Sequence, residues 1–286
     1  MKVGCRGSSL SLAQAALAQQ RYGKVWEQSI IHTEGDKDQK TPIAEMGGKS
    51  VFCSTIEKEL LDGKIDVAIH SYKDMPGIKT EGLTVNVVLP RNNCKDYIIG
   101  DVTSKQSPIV GTSSPRRRAQ IENMFESVKT KDIRWNIETR LAKLDNGDYD
   151  AIVLAGAGLD LLNIDVNQVV INNIPAVCQG IIALQTREDD TKTNGLISRM
   201  NHYPTYYNSQ VERALLERIG GDCHTALAGN VQNNLLIAEM FLKGKHTGIV
   251  KVTKGVYNKP EDWGYAMADI LMEKLQWQTT NHLLDM

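Results

Sequence analysis

The chain has 286 residues, a formal net charge of −1 and a charged fraction of 23%, values that are ordinary for a globular protein and argue against a general attraction to nucleic acid. Its length allows two or three domains of roughly 100–200 residues each. Five widely spaced cysteines without a CxxC pair argue against a disulfide framework or a zinc ribbon, and we expect no metal. The N-terminus lacks the apolar core of a signal peptide, and no apolar run is long enough for a membrane span, so we expect a cytoplasmic protein without membrane contact.

The first part of the chain alternates predicted strands and helices. Met1–Cys5 and Val25–His32 are predicted strands, and an apolar pattern over Leu10–Leu17 predicts a helix between them. A second helical pattern, over Val51–Leu61, leads into a buried strand at Ile65–His70. This order is typical of a mostly parallel sheet.

The same rhythm repeats further along the chain. Ile109–Val110 and Ala151–Leu154 are predicted strands, and each precedes a helix start. At the first of these starts, Ser114 is a good N-cap and Pro115 suits the first helical position, directly before three arginines. Hydroxyls, free backbone N–H groups and guanidinium groups at one helix start favour an anion site, although a solvated arginine run on a surface helix is the alternative.

Polar residues are predicted at the carboxyl ends of strands in both blocks, where open α/β sheets bind their ligands. These residues are Arg6, Lys73, Asp74, Thr112–Arg117, Arg134 and Arg140. Two α/β domains that face one cleft would bring them together.

The fold class that we predict is therefore α/β, with two α/β domains around a cleft and a third, smaller domain. The first domain comprises residues 1–86 and 181–198, because the apolar run at Ile181–Leu184 returns the chain to it, and the second comprises residues 91–175. Beyond these, a helix, a few strands and a terminal helix predict a small α+β domain over residues 203–286.

Two places in the sequence have side chains suited to chemistry. The carboxylate of Asp74 beside Lys73 can hold a developing positive charge or move a proton, or the two can form only a surface ion pair. Cys223 follows two glycines on a loop, where it can be a nucleophile or an attachment point, or an inert buried thiol. Gly156 and Gly158 lack the third glycine of a dinucleotide fingerprint, and His70, at a strand end, is expected to be a hydrogen-bonded structural residue.

Taken together, these residues resemble the porphobilinogen deaminase (hydroxymethylbilane synthase) family over nearly the whole chain. The matching segments, in family order, are Arg6–Ser8, Gly47–Lys49, His70–Pro76, Gly111–Arg117, Arg134–Arg140, Leu144–Ala151, Pro175–Gly180 and Gly221–Cys223. The resemblance implies two domains like those of periplasmic binding proteins plus a small third domain. It also implies a transferase that deaminates four porphobilinogen molecules and joins them head-to-tail into hydroxymethylbilane, in porphyrin and haem biosynthesis.

The resemblance also implies roles for individual residues. Cys223 would carry one covalent dipyrromethane cofactor per chain through a thioether, and Asp74 would be the catalytic residue. The groups that would hold the acetate and propionate side chains of cofactor and substrate are Arg6, Ser8, Lys49, Lys73, Thr112, Ser113, Ser114, Arg116, Arg117, Arg134 and Arg140. Each added ring brings two carboxylates, which suits a lining rich in guanidinium groups. We expect porphobilinogen as the small-molecule partner, no nucleic acid, and a monomer.

Four positions depart from the family pattern. Trp135 stands where glycine is usual, and its ring would either crowd the cleft or pack on a pyrrole. Cys178 also replaces a usual glycine, and Glu45 stands where a basic residue is frequent, which puts one carboxylate contact in doubt. Pro115 stands at a position that is often leucine, and it fits the helix start.

Two other classes of function remain alternatives. A binding module with the same two-lobed fold would capture a carboxylate ligand without chemistry, but it would need neither Asp74 nor Cys223 and would usually carry an export signal. A nucleic-acid binder would use the arginine run, and the near-zero net charge and the lack of interleaved aromatic residues argue against it.

Overall fold

The computed structural model describes residues 1–33, 35, 53–103, 105–221, 225–242 and 245–281. Glu45, Lys49 and Cys223, which the sequence singles out, lie outside the described residues. Among the residues described, no helix combines the length and the apolar character needed to cross a membrane.

The described residues form three sheets, with helices between and around their strands. The strands are β1 (Lys2–Arg6), β2 (Glu27–Ile31), β3 (Val67–Ser71), β4 (Leu83–Val88), β5 (Asp96–Gly100), β6 (Ile109–Gly111), β7 (Lys129–Lys131), β8 (Ala151–Ala155), β9 (Gln168–Val170), β10 (Ile182–Arg187), β11 (Leu227–Gln232), β12 (Leu235–Leu242), β13 (Lys245–His246) and β14 (Val250–Thr253). The helices are α1 (Ser9–Tyr22), α2 (Ser54–Leu61), α3 (Pro115–Met124), α4 (Ile137–Asp145), α5 (Gly156–Leu161), α6 (Thr191–Ile197), α7 (Tyr203–Ile219) and α8 (Pro260–Asn281). Short 3-10 turns occur at Tyr72–Asp74, Ser198–Met200 and Lys254–Val256.

Two five-stranded sheets share one strand order and define two lobes. The first lobe has the order β2-β1-β3-β10-β4, and the second has the order β7-β6-β8-β5-β9. In each, four strands run in the same direction, and the fourth strand in the order, which enters from the other lobe, is antiparallel to both of its neighbours. The central strands β3 and β8 are buried, as expected for parallel strands covered by helices on both faces. The predicted α/β fold class is confirmed.

The third sheet, which we call the third unit together with α7 and α8, is antiparallel throughout. β12 pairs with β11, β13 and β14, and the two helices pack on it. Its core contains the fully buried Trp263, Leu215 and Leu271, and this cluster continues into Tyr72 and Met75 of the first lobe. The smaller α+β part predicted from the sequence is therefore present. The domain boundaries themselves stay a prediction, which the composition of the three sheets supports.

Two crossing segments, residues 89–95 and 171–181, connect the lobes side by side. Leu89 N donates to Ile182 O at 3.0 Å, and Asn92 N donates to Gly180 O at 2.8 Å. Gly180 has a φ of 80°, and a Cβ there would lie 2.7 Å from Asn92 O. Only glycine therefore permits this close approach.

Glu212 of α7 fastens the third unit to both crossing segments. Its carboxylate accepts two hydrogen bonds from the Arg91 guanidinium, at 2.8 and 2.9 Å, and one from Cys178 N at 2.7 Å. Because the Glu212 carboxylate is buried, these charge-assisted bonds fix the third unit at the junction of the lobes.

Candidate active site

A cleft of about 370 Å³ lies between the two lobes, beyond the carboxyl ends of their parallel strands. Every predicted site residue that the structure describes lines it: Arg6, Ser8, Lys73, Asp74, Thr112, Ser113, Ser114, Arg116, Arg117, Arg134 and Arg140. These residues come from both lobes and bring hydroxyls, cations and the carboxylate of Asp74 to one cleft, which Glu138 also lines.

Asp74 is delivered to the cleft by a short turn at the end of a buried strand. β3 ends at Ser71, and the 3-10 turn Tyr72–Asp74 follows at once. Tyr72 N donates to Ile181 O at 2.9 Å, and Met75 N donates to Tyr72 O at 3.2 Å. The Asp74 side chain is half-buried in the cleft wall, where its position follows from the strand and the turn.

Arg213 of α7 supports the loop that follows Asp74. Its guanidinium donates to the carbonyl oxygens of Met75 at 3.0 Å and Gly77 at 3.1 Å, and also to that of Pro76. The same guanidinium lies 5.2 Å from the centroid of the Tyr72 ring, at the distance of a cation–π contact. A residue of the third unit thus holds the backbone after Asp74 and contacts the ring of Tyr72 before it.

Lys73 is a lysine whose surroundings lower the pKa of its ammonium group. Burial, and then the nearby Arg117 guanidinium, lower the pKa of Lys73 to about 8. Its Nζ donates to Gln179 Oε1 at 3.3 Å. Gln179 in turn donates through Nε2 to Cys94 O at 2.7 Å and to Asp96 Oδ1 at 2.9 Å. Lys73 is therefore tied to a crossing segment.

Arg116 and Arg117 form a buried arginine pair with Asp96. Arg116 Nη1 donates to Asp96 Oδ2 at 2.8 Å, and Arg117 donates to Asp96 Oδ1 through Nη2 at 2.7 Å and Nε at 3.1 Å. Burial favours the neutral carboxyl, but the two guanidinium groups outweigh it and hold the pKa of Asp96 well below its usual range. Burial also lowers the pKa of Arg116, against the opposing attraction of Asp96. Both arginines border the cleft, but their guanidinium groups bind Asp96.

The buried arginine pair continues into the third unit. Arg116 Nη1 also donates to Gln120 Oε1 at 2.7 Å, and Gln120 donates through Nε2 to the Glu239 carboxylate on β12. Glu239 accepts a second bond, 2.9 Å long, from His246. The network therefore joins the second lobe to the third unit.

The third arginine of the run behaves differently. Arg118 Nη2 lies 2.7 Å from Asp132 Oδ1, and the two side chains are 41% and 56% exposed. Arg118 is therefore a solvated helix residue, unlike its two neighbours in the run.

The hydroxyls of the arginine turn are engaged by nearby backbone. Ser114 caps α3 by accepting from Arg117 N at 3.4 Å, which confirms the predicted N-cap and the place of Pro115 in the first turn. Thr112 Oγ1 accepts from Ser114 N at 3.2 Å, and Ser113 Oγ bridges the backbone of Ile133. On the other lobe, Ser8 caps α1 by accepting from the N–H of Ser11. These hydroxyls shape the cleft wall as well as line it.

The cleft arginines, Arg134 and Arg140, lie on the connection from β7 to α4 and in the first turn of α4. Both side chains are half-buried and line the cleft. Burial, and then the repulsion of Arg117, lower the pKa of Arg140 to about 10, although Asp74 opposes the change. Arg140 Nε donates to Trp135 O at 2.8 Å. Trp135 has a φ of 92° and is 45% exposed.

Two other sequence features have structural roles. His70 is buried and its Nε2 lies 3.0 Å from Gln185 Oε1, which confirms the expected hydrogen-bonded histidine, and burial lowers its pKa. Gly156 opens α5 where a Cβ would lie 2.5 Å from Asn93 Nδ2. Close packing therefore accounts for this glycine.

Sequence reasoning did not select Asp96, Gln179 or Arg213. Gln179 stands in the segment Pro175–Gly180 that carries the resemblance, which was a usable signal. Asp96 and Arg213 are single charged residues without a motif, and only the three-dimensional structure reveals their partners.

Comparisons with known proteins show which family the sequence of this chain matches. The family model described as "Porphobilinogen deaminase, dipyromethane cofactor binding domain" matches residues 1–195. The porphobilinogen deaminase of Syntrophomonas wolfei subsp. wolfei is 35% identical over 277 residues, covering 87% of this chain and 88% of that protein. The porphobilinogen deaminase of Geobacillus kaustophilus is 39% identical over 248 residues, covering 79% and 78%. Among solved structures, an amino acid ABC transporter substrate-binding protein from Streptococcus pneumoniae matches with a TM-score of 0.41 at 12% identity, over 70% of this chain and 85% of that one.

The match to the family model includes the loop that carries Asp74, the arginine turn and both cleft arginines. The two relatives extend the similarity over most of the chain. The chain belongs to the porphobilinogen deaminase family.

Proposed function

We propose that the cleft between the lobes binds porphobilinogen and carries out its deamination and head-to-tail polymerisation into hydroxymethylbilane, with Asp74 as the catalytic residue. The family reaction is the polymerisation of porphobilinogen in tetrapyrrole synthesis. The observation that carries the assignment to this site is the carboxylate of Asp74 in a cleft whose described lining also includes six lysine and arginine side chains.

The lining fits a dipyrromethane cofactor. Arg6, Arg134 and Arg140 present guanidinium groups, whose fork geometry suits the acetate and propionate side chains of pyrroles. When bound, the dipyrromethane supplies the primer to which pyrroles are added. We place its attachment at Cys223. Thr225, the next described residue, lines the cleft, which supports that place.

Asp74 accepts hydrogen bonds from pyrrole N–H groups in this proposal. Loss of ammonia leaves porphobilinogen as a cation, and a fixed carboxylate stabilises such a charge more where water is largely excluded. Asp74 lies within electrostatic reach of Lys73 and Arg140, since it favours the charged form of both. These cations hold the carboxylates of the same substrate, and Asp74 faces its ring.

The contributions of the arginines are unequal. The donors of Arg116 and Arg117 that bind Asp96 are already used, so these two residues supply mainly positive charge and the rigid floor of the cleft. Arg6, Arg134 and Arg140 make most of the direct carboxylate contacts. Lys49 joins them as a further cation by resemblance alone, because it lies outside the described residues.

We further propose that the protein works as a cytoplasmic monomer that does not use nucleic acid. Burial of Arg116 and Arg117 removes two of the three run arginines from any phosphate backbone, and the net charge is only −1. The sedimentation coefficient of the purified protein tests whether it is a monomer. A shift in its elution volume on addition of DNA tests whether it binds nucleic acid.

Intact-mass measurement tests the function and the attachment together. We expect wild-type protein to carry an adduct of two pyrrole units, which Cys223→Ser removes. We expect Asp74→Asn to keep the adduct while turnover of porphobilinogen falls about 100- to 1000-fold, because a charge-stabilising group is lost.

Arg118→Gln is the matched control, since Arg118 is exposed and pairs with the exposed Asp132, and it should keep both adduct and turnover. Unmodified wild-type protein from cells supplied with substrate would contradict the attachment. Near-normal turnover in Asp74→Asn would show that another group stabilises the cation.

A further inference from the structure

Trp135 occupies a backbone conformation that residues with a side chain rarely adopt. Its φ of 92° lies in the region where a Cβ makes unfavourable contacts and glycine is favoured. Such conformations persist only where the surrounding structure holds them, and they cluster at functional sites. The fold therefore keeps a strained backbone here while presenting one of the largest side chains.

Hydrogen bonds on both sides hold this segment in place. Ser113 Oγ donates to Ile133 O at 2.8 Å and accepts from Ile133 N at 3.0 Å. Arg140 Nε donates to Trp135 O at 2.8 Å. The residues that fix the backbone of Trp135 are thus themselves residues of the cleft, and the indole lies on the cleft wall.

The indole of Trp135 is available to a ligand. It is 45% exposed, whereas Trp26 is 6% and Trp263 0% exposed. Within the part of the chain that the structure describes, no ring or cation stacks on it. A large aromatic face that contributes little to the core therefore borders the cleft.

The charges beside the indole match the two halves of a pyrrole substrate. Arg134 and Arg140 line the same cleft as Trp135, and their guanidinium groups suit the two carboxylates of porphobilinogen. Binding of the carboxylates leaves the faces of the pyrrole ring uncovered. An aromatic side chain packs favourably on such a face, and more so when the ring carries positive charge.

We propose that Trp135 stacks on a pyrrole ring whose carboxylates are held by Arg134 and Arg140, and that it is a binding and positioning residue for porphobilinogen. This rests on the proposed function of the cleft. The opposite reading, in which the indole only obstructs the cleft, predicts that removing the ring lowers KM.

Three variants separate the aromatic face from the backbone strain. Trp135→Phe keeps an aromatic ring, Trp135→Leu keeps a Cβ and bulk without a ring, and Trp135→Gly removes both ring and strain. For the holoenzyme, we expect KM for porphobilinogen within about twofold of wild type in Trp135→Phe, and a rise of about three- to tenfold in the other two. We also expect Trp135→Gly to raise the midpoint of thermal unfolding by about 2–4 °C, because the strain is relieved.

Tryptophan emission gives a second readout, which does not depend on the kinetic measurements. Saturating porphobilinogen should quench the emission of wild-type protein, and the quenching should be lost in Trp135→Phe. Unchanged emission in wild type, or a KM in Trp135→Leu that equals or falls below that of wild type, overturns the stacking. Wild-type protein without adduct or turnover would instead contradict the proposed function, so the two failures are distinguishable.

Discussion

The buried arginine pair and the cleft arginines use the same side chain for opposite purposes. Arg116 and Arg117 are buried and share the carboxylate of Asp96, whereas Arg134 and Arg140 are half-buried and line the cleft. The first group joins the second lobe to a crossing segment and the third unit. The second group lines the cleft, where we propose that it binds the carboxylates of the substrate. The same residue type therefore supports the fold in one place and lines the cleft in the other.

The largest expected effect is on stability, from breaking the buried arginine pair. Asp96→Asn leaves two buried guanidinium groups without their counter-charge, so we expect the free energy of unfolding to fall by about 3–5 kcal/mol. Urea unfolding followed by circular dichroism measures it. Asp132→Asn, which breaks the exposed pair with Arg118, is the matched control and should cost less than about 1 kcal/mol. A loss below about 1 kcal/mol in Asp96→Asn would mean that the pair does not hold the fold.

A smaller effect, on kinetics alone, is expected from the cleft arginines. Arg134→Gln and Arg140→Gln each remove a charge-assisted bond to a substrate carboxylate, so kcat/KM for porphobilinogen should fall about 10- to 100-fold. Arg140→Gln should lose more, because it also frees the Trp135 carbonyl. Initial rates over a range of substrate concentrations measure both variants.

Stability in these two variants should stay within about 1 kcal/mol of wild type, in contrast to Asp96→Asn. Arg118→Gln again serves as the control and should change neither quantity. A cleft variant that unfolds as readily as Asp96→Asn would remove the distinction between the two groups.

The smallest effect is a pH dependence centred on Lys73, which bonds to Gln179 beside the buried arginine pair. With a pKa of about 8, Lys73 loses its charge as pH rises through 8, so kcat/KM should fall several-fold between pH 7.5 and 9. Lys73→Arg keeps its charge and should flatten this limb of the profile. A wild-type limb that persists unchanged in Lys73→Arg would assign the titration to another group.

The same shift has a definite sign for stability. The folded pKa of Lys73 lies below its ordinary value of 10.5, so between about pH 8 and 10.5 the unfolded chain binds the extra proton. Lys73 therefore adds to stability as pH rises through this window. Thermal melts of wild type and Lys73→Met at both ends of the window measure the contribution.

Local signals in the sequence predicted much of this site. The alternation of strands and helices predicted the two lobes, and Ser114 before Pro115 predicted the start of α3, because caps and proline act over a few residues. The carboxyl ends of the strands predicted a common cleft. The buried pair was not predictable, because Asp96 approaches Arg116 only through the antiparallel strand β5, which enters the second lobe from a crossing segment.

At two positions where the family resemblance implies glycine, this chain has another residue, and the resemblance bears on the backbone conformation there. Trp135 and Cys178 both have positive φ, of 92° and 58°. The usual glycine at each position is consistent with that backbone, since glycine adopts it without a steric penalty. Sequence alone marked the positions but not the conformation, and it did not choose whether the Trp135 ring crowds the cleft or packs on a pyrrole.

The two crossing segments are hydrogen-bonded side by side, so a rotation of one lobe against the other would turn about them. In a rotation of one lobe against the other, each atom travels in proportion to its distance from the rotation axis. Gln179 lies on a crossing segment and accepts a hydrogen bond from Lys73, the neighbour of Asp74, so these residues would lie close to such an axis. The outer walls of the cleft lie further from the crossing segments and would move through a larger arc in such a rotation. A rotation about the crossing segments would therefore displace the outer walls of the cleft more than it displaces Asp74.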